Sequence, residues 1–145
     1  MNSVRRLTIA SAVLALGGCA AMKFAPAPDR PEAEARSALR EMQAAYESGQ
    51  AEEFLGHFNG GLAGFDAYRN GVRDFLLHNH QITMDIVVDG VVSEAGETSV
   101  RAHWNRRFVD ASGALRLEEG VCEFIFQARS SGGQALRAIH GRSPF

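Results

Sequence analysis

The chain has 145 residues, 46% of them hydrophobic and 22% charged, which are the proportions of one globular domain with a packed core. That composition excludes a disordered, collagen-like or coiled-coil chain, and the length excludes two domains of ordinary size. Fifteen Lys and Arg against 17 Asp and Glu leave a formal charge of -2. No surplus of cations is left to displace counterions from a phosphate backbone, so nucleic acid is not expected as a partner.

The N-terminus reads as an export signal. Arg5 and Arg6 precede an apolar run from Leu7 to Leu16, interrupted only by Thr8 and Ser11. A span across about 30 Å of hydrocarbon needs about 20 such residues, and Gly17 and Gly18 end this one well short. Leu16-Gly17-Gly18-Cys19 then resembles the lipobox of bacterial lipoproteins, an aliphatic residue and two small ones before a cysteine that is lipidated and becomes the new N-terminus. The resemblance implies that residues 1–18 are a signal peptide and that Cys19 carries palmitate-type acyl chains. Each buried CH₂ of such a chain contributes about 0.8 kcal/mol, which makes the lipid bilayer a permanent partner without any spanning helix. Ala20, where an acidic residue is missing, goes in such lipoproteins with sorting to the outer membrane. The expected location is therefore the outer membrane, with the domain lipid-anchored and facing the periplasm. Cleavage takes Arg5 and Arg6 from the 15 bases, leaving 13 against 17 acids and a charge of -4.

With Cys19 acylated, Cys122 has no partner for a disulfide even in an oxidising compartment. It lies in the strand-like run Val121 to Phe126, where a lone thiol acts as a small buried hydrophobe. Residues 19–30 carry Pro26 and Pro28 and read as an extended tether that leads into a folded domain over 31–145.

Pro31 suits a first helical turn, with Asp29 or Arg30 before it and Glu32 and Glu34 opposing the helix dipole. Ala35, Ala38, Leu39, Met42, Ala45 and Tyr46 then form one apolar stripe, and Gly49 stops the helix. A short second helix over Ala51 to Phe58 buries Phe54, Leu55 and Phe58. A third runs from about Gly64 or Asp66 to His78, with Phe65, Tyr68, Val72, Phe75 and Leu76 inward. After Asn79 the period changes from 3.6 to 2. Ile82, Met84, Ile86 and Val88 share one face of a first strand, and Val100, Ala102, Trp104 and Phe108 one face of a second. Asp110-Ala111-Ser112-Gly113 is a turn. A third strand from Leu115 to Ala128 turns Cys122, Phe124 and Phe126 inward, with a bulge expected at Gly120, and a last hairpin leads to Ala135–His140. The pattern is α+β: three N-terminal helices packed on a curved antiparallel sheet.

This order of elements resembles the nuclear transport factor 2-like, or SnoaL-like, superfamily over about residues 31–145. The resemblance rests on Tyr46-Glu47-Ser48-Gly49 closing the first helix, on the short helix carrying Phe54, on Trp104 in mid-strand, and on the tail Ile139-His140-Gly141-Arg142-Ser143-Pro144-Phe145. It implies a cone-shaped, cystatin-like roll around a pocket, often forming a homodimer through the outer sheet face. Similar cones are isomerases, dehydratases, epoxide hydrolases or cyclases, or have no activity, so chemistry must come from the pocket.

The inward strand positions predict a ligand pocket of Met84, Trp104, Arg106, Phe124 and Phe126, in which Arg106 is the one charged intruder. An acid–base enzyme acting on a small apolar substrate would have to draw on His57, Asp66, Tyr68 and His140. No spacing joins these into a catalytic set. His78-Asn79-His80 has no third ligand nearby, so no metal and no cofactor is expected. The sequence thus favours a small-ligand-binding or protein-contact domain in the envelope over an enzyme.

Overall fold

A computed structural model describes residues 29–61 and 64–145. The expected signal peptide, Cys19 and residues 20–28 of the tether lie outside them. Helices α1 (Arg30–Glu47), α2 (Ala51–Gly56) and α3 (Phe65–His78) precede strands β1 (His80–Glu94), β2 (Glu97–Val109), β3 (Leu115–Ala128) and β4 (Gln134–Gly141). The strands form an antiparallel meander in the order β1-β2-β3-β4, and the helices cover one face of this curved sheet. This is the α+β architecture expected from the change of period after Asn79. Among the described residues no helix is long and apolar enough to cross a membrane.

Helix α1 buries the six residues of its apolar stripe, Ala35 through Tyr46. Gly49 ends it at φ 72°, a left-handed conformation that costs a residue without a Cβ little, and its N–H donates to the Tyr46 carbonyl at 3.0 Å. The same end of α1 protects the sheet. Strand β1 is an edge, and its Met84 N–H donates to Glu47 Oε1 at 2.6 Å while Gln43 Nε2 donates to the Met84 carbonyl at 2.6 Å. On the opposite edge, the residues after α2 bind β4: Leu136 N–H donates to the His57 carbonyl, and Asn59 N–H to the Leu136 carbonyl, both at 2.8 Å. Two exposed ladders that would otherwise invite pairing with other chains are thus partly occupied.

The core lies between helices and sheet, with Phe54, Phe124 and Phe126 at no measurable exposure. Cys122 is buried there, and burial pushes its thiol up to about 11. Gly120 is not a bulge. Arg106 to Val109 pair without a break with Leu115 to Glu118, and Trp104 pairs with Gly120, in one continuous register. The irregularities fall instead between His80 and Thr83, between Val88 and Gly90, and between Ile125 and Phe126. Gly120 answers a different demand: its neighbour across the strands is a tryptophan whose ring needs the space.

Candidate functional site

A cavity of about 230 Å³ opens between the end of α1, the inner face of α3, strand β2 and the C-terminal tail. Tyr46, Tyr68, Gly71, Val72, Phe75, Arg106 and Phe145 line it. The α3 wall arises because Tyr68, Val72 and Phe75 recur at helical spacing toward the sheet, and Gly71 between them leaves the wall without a side chain. The aromatic walls lock into the core behind. Tyr46 meets Phe54 at 5.1 Å and Phe145 at 5.2 Å edge to face, and stacks on Phe75 at 5.9 Å.

Arg106 is the polar centre of this region, although only 8% of its surface is exposed. A buried guanidinium needs partners on every side. Nη1 donates to Tyr46 Oη at 3.0 Å and to the Pro144 carbonyl at 2.8 Å, and Nη2 donates to the Glu118 carboxylate. Its plane also lies over the rings of Phe75 at 4.5 Å and Phe108 at 5.2 Å, a cation–π arrangement. Glu118 reaches it because Arg106 and Glu118 are register partners across β2 and β3. The charge is therefore compensated within the fold, but Nε remains buried without an acceptor.

Two phenols face this set. Burial pushes Tyr46 up to about 12, against the opposing pull of Arg106. Burial raises Tyr68 further still, and its hydroxyl is closed off from solvent. The Ser143 hydroxyl, hydrogen-bonded toward Tyr68, draws it the other way and also exchanges 3.2 Å contacts with the Phe145 N–H and carbonyl. Tyr68 and Arg106 are thus the polar members of an otherwise aromatic and aliphatic lining, with Tyr68 Oη and Arg106 Nε themselves closed off from solvent.

The structure brings together part of the set expected from sequence. Of the five residues expected around a pocket, Arg106 lines the cavity. Met84, Trp104, Phe124 and Phe126 are packed into the closed core, because the tail and α1 fill the space over their strands. Trp104 lies against Gly120, donates Nε1–H to the Arg142 carbonyl at 2.8 Å, and is covered by the Arg142 guanidinium. Of the four acid–base candidates only Tyr68 lines the cavity. Asp66 has 84% of its side chain exposed and pairs with Arg69 at 2.8 Å. His140 is on the outer sheet face, 66% exposed, 3.9 Å from Glu123. His57 lines a separate cleft with Glu34, Glu41, Arg129 and Gln134, where burial lowers its pKa. Among the described residues no three His, Cys, Asp or Glu side chains converge on a metal position. The outer sheet face carries His103 bonded to Asp89 at 2.8 Å and leaves Val87, Leu117 and Val121 exposed.

By periodicity Tyr46, Val72 and Phe75 are core positions rather than a pocket wall, and nothing in the tail's sequence singles out Phe145. The signal available was Arg106, an obligatory charge on an inward face whose partners had to be near.

Neither a protein-family model nor a curated protein sequence matches the chain. Solved structures do match in fold. A conserved protein from Planctomyces limnophilus aligns with a TM-score of 0.68 at 14% identity, over 77% of this chain and 97% of its own. A nuclear transport factor 2-like superfamily protein from Salmonella enterica aligns with a TM-score of 0.67 at 10% identity, over 78% and 90%. A ketosteroid isomerase-like protein from Erwinia carotovora aligns with a TM-score of 0.63 at 14% identity, over 81% and 100%. The chain therefore has the nuclear transport factor 2-like fold, three helices on a curved four-stranded sheet. The matched structures include a putative dehydratase from Streptomyces avermitilis and a putative calcium/calmodulin-dependent protein kinase II association domain from Xanthomonas campestris, so a likeness in fold does not choose an activity.

Proposed function

We propose that this chain is an envelope lipoprotein, acylated at Cys19 and held at the outer membrane facing the periplasm, whose cone binds a small, mainly apolar ligand without transforming it. The observation that carries the binding reading is the chemistry of the cavity wall: aromatic rings, two phenols with raised pKa values, and an arginine already neutralised by Glu118. Both phenols stay protonated near neutral pH, and a general acid or base works best when its pKa lies near the working pH. The imidazole and carboxylate candidates, His57, Asp66 and His140, stand elsewhere. The lipoprotein reading is supported by the sequence around Cys19 and by the proline-bearing segment that separates it from α1.

Native mass spectrometry of the full chain, released from detergent after expression in a bacterium, tests the binding reading. A small molecule should accompany the wild type and be lost from Gly71→Met, whose side chain would enter the cavity from a helical position where an added Cβ meets no atom within 4 Å. Bare protein in both cases would overturn it. Labelled palmitate should enter the wild type and not Cys19→Ser; equal labelling of the two would remove the membrane anchor.

A further inference from the structure

We propose that Gly71 is the specificity-determining residue of the cavity: the bare backbone of α3 at this position is its mouth, and it admits a flat ligand of two fused aromatic rings whose outer ring rests there. This rests on the reading that the cone binds a small molecule and deepens it. Exposure orders the lining by depth. Tyr46, Val72 and Arg106 are buried, Tyr68, Phe75 and Phe145 are half-buried, and of the seven lining residues only Gly71 is exposed. The cavity therefore opens to solvent at Gly71.

Neither ordinary reason for a glycine holds at this position. Residue 71 lies inside α3 and outside the left-handed region that Gly49 occupies, and an added Cβ would meet no atom within 4 Å, unlike the one at Gly120. A glycine inside a helix weakens folding about fivefold relative to alanine. What it leaves is space. Residues three and four apart are neighbours on one helix face, so position 71 stands between Tyr68 and Phe75, the two α3 rings of the wall. Any side chain there would stand in the mouth. Size and shape then give the ligand class. A cavity of about 150 Å³ holds one benzene, whereas sites for drug-sized ligands begin at about 300 Å³. At about 230 Å³ the space behind Gly71 takes one ring with little to spare, so a second fused ring extends past the rim. A flat group lies close against a backbone without a Cβ, and the rings of Tyr46, Phe75 and Phe145 supply faces and edges for an aromatic body.

The test compares phenol and 2-naphthol, one ring and two with the same hydroxyl, on the full chain in detergent. Binding is read from NMR shifts of the methyl groups of Val72, a lining residue. The wild type should bind 2-naphthol about tenfold or more tighter than phenol. Gly71→Ala should reduce that ratio severalfold and leave the affinity for phenol within about twofold of the wild type, and Gly71→Leu should abolish the ratio; partition into micelles is common to the three proteins and cancels. Gly71→Ala should also raise the urea midpoint, because alanine is the better helix former and its methyl group meets open space. Stability and two-ring binding would then move in opposite directions, which a merely structural glycine does not produce. An unchanged ratio in all three proteins would overturn the proposal, and so would a lower midpoint in Gly71→Ala, which would show that the glycine serves packing. Failure of both probes to bind the wild type would overturn it as well, and the copurified mass then decides separately whether the cone binds small molecules.

Discussion

Trp104 and Gly120 oppose each other across β2 and β3, and the indole lies where a side chain at position 120 would stand. A Cβ there would come within 2.8 Å of Trp104 Cζ2, closer than carbon atoms approach without displacement. The ring cannot retreat freely, because its Nε1–H is bonded to the Arg142 carbonyl and the Arg142 side chain lies over it. Gly120→Ala should therefore cost about 1–3 kcal/mol by overpacking, read as a lower urea midpoint at unchanged slope. Wild-type stability in the alanine variant would show that the indole can shift without loss.

The chain has two tyrosines, and both line the cavity. Absorbance at 295 nm, which reports tyrosinate, therefore reads this region alone. The unfolded chain should release its phenolic protons near pH 10, whereas burial holds Tyr46 to about 12 in the fold and Tyr68 above it. Folded pKa values above unfolded ones mean that the stabilisation is complete below about pH 10 and is lost as the pH rises toward 12. Stability should fall over that window, and tyrosinate should appear together with the loss of tertiary circular dichroism. A full tyrosinate signal near pH 10 from intact protein would show that the phenols are solvated.

Removing the cation at the centre of the site should be costly in a way that removing the pair is not. Arg106→Met leaves the Glu118 carboxylate, the Tyr46 hydroxyl and the Pro144 carbonyl without their donor, at about 3 kcal/mol. Adding Glu118→Leu removes the stranded charge and should restore part of that loss, giving a coupling of about 1 kcal/mol or more in a double-mutant cycle. Strict additivity of the two substitutions in urea denaturation would show that the ion pair is solvated and independent.

How much of this was legible beforehand depended on how local the determinant was. The α1 stripe was visible because six apolar residues repeat on one helical face, and the sheet because alternation persists from Ile82 onward. The pairing of Arg106 with Glu118 was also within reach: once Asp110 to Gly113 is a turn and Val109 meets Leu115, counting back three positions on each strand brings the two together. Gly120 was misread because a glycine in a strand signals either a bulge or a close neighbour, and only the register says that Trp104 is that neighbour. The cavity was the hardest feature to read. Its walls come from α1, α3, β2 and the tail, and the inward strand residues expected to form it are packed into the core beneath them, a matter of how layers stack rather than of any periodicity.

The irregularity between Val88 and Gly90 reverses which residues of β1 look inward: Ile82, Met84, Ile86 and Val88 share the core face on one side of it, and Val91, paired with Val100, takes that face on the other. It also carries Asp89 to His103 on the outer surface. Loss or gain of a single codon in this stretch would swap the two faces of the strand's far half, whereas paired insertions would leave the phase intact. Descendants of this gene should accordingly vary in the length of β1 by even steps, with the offset residue travelling as a unit.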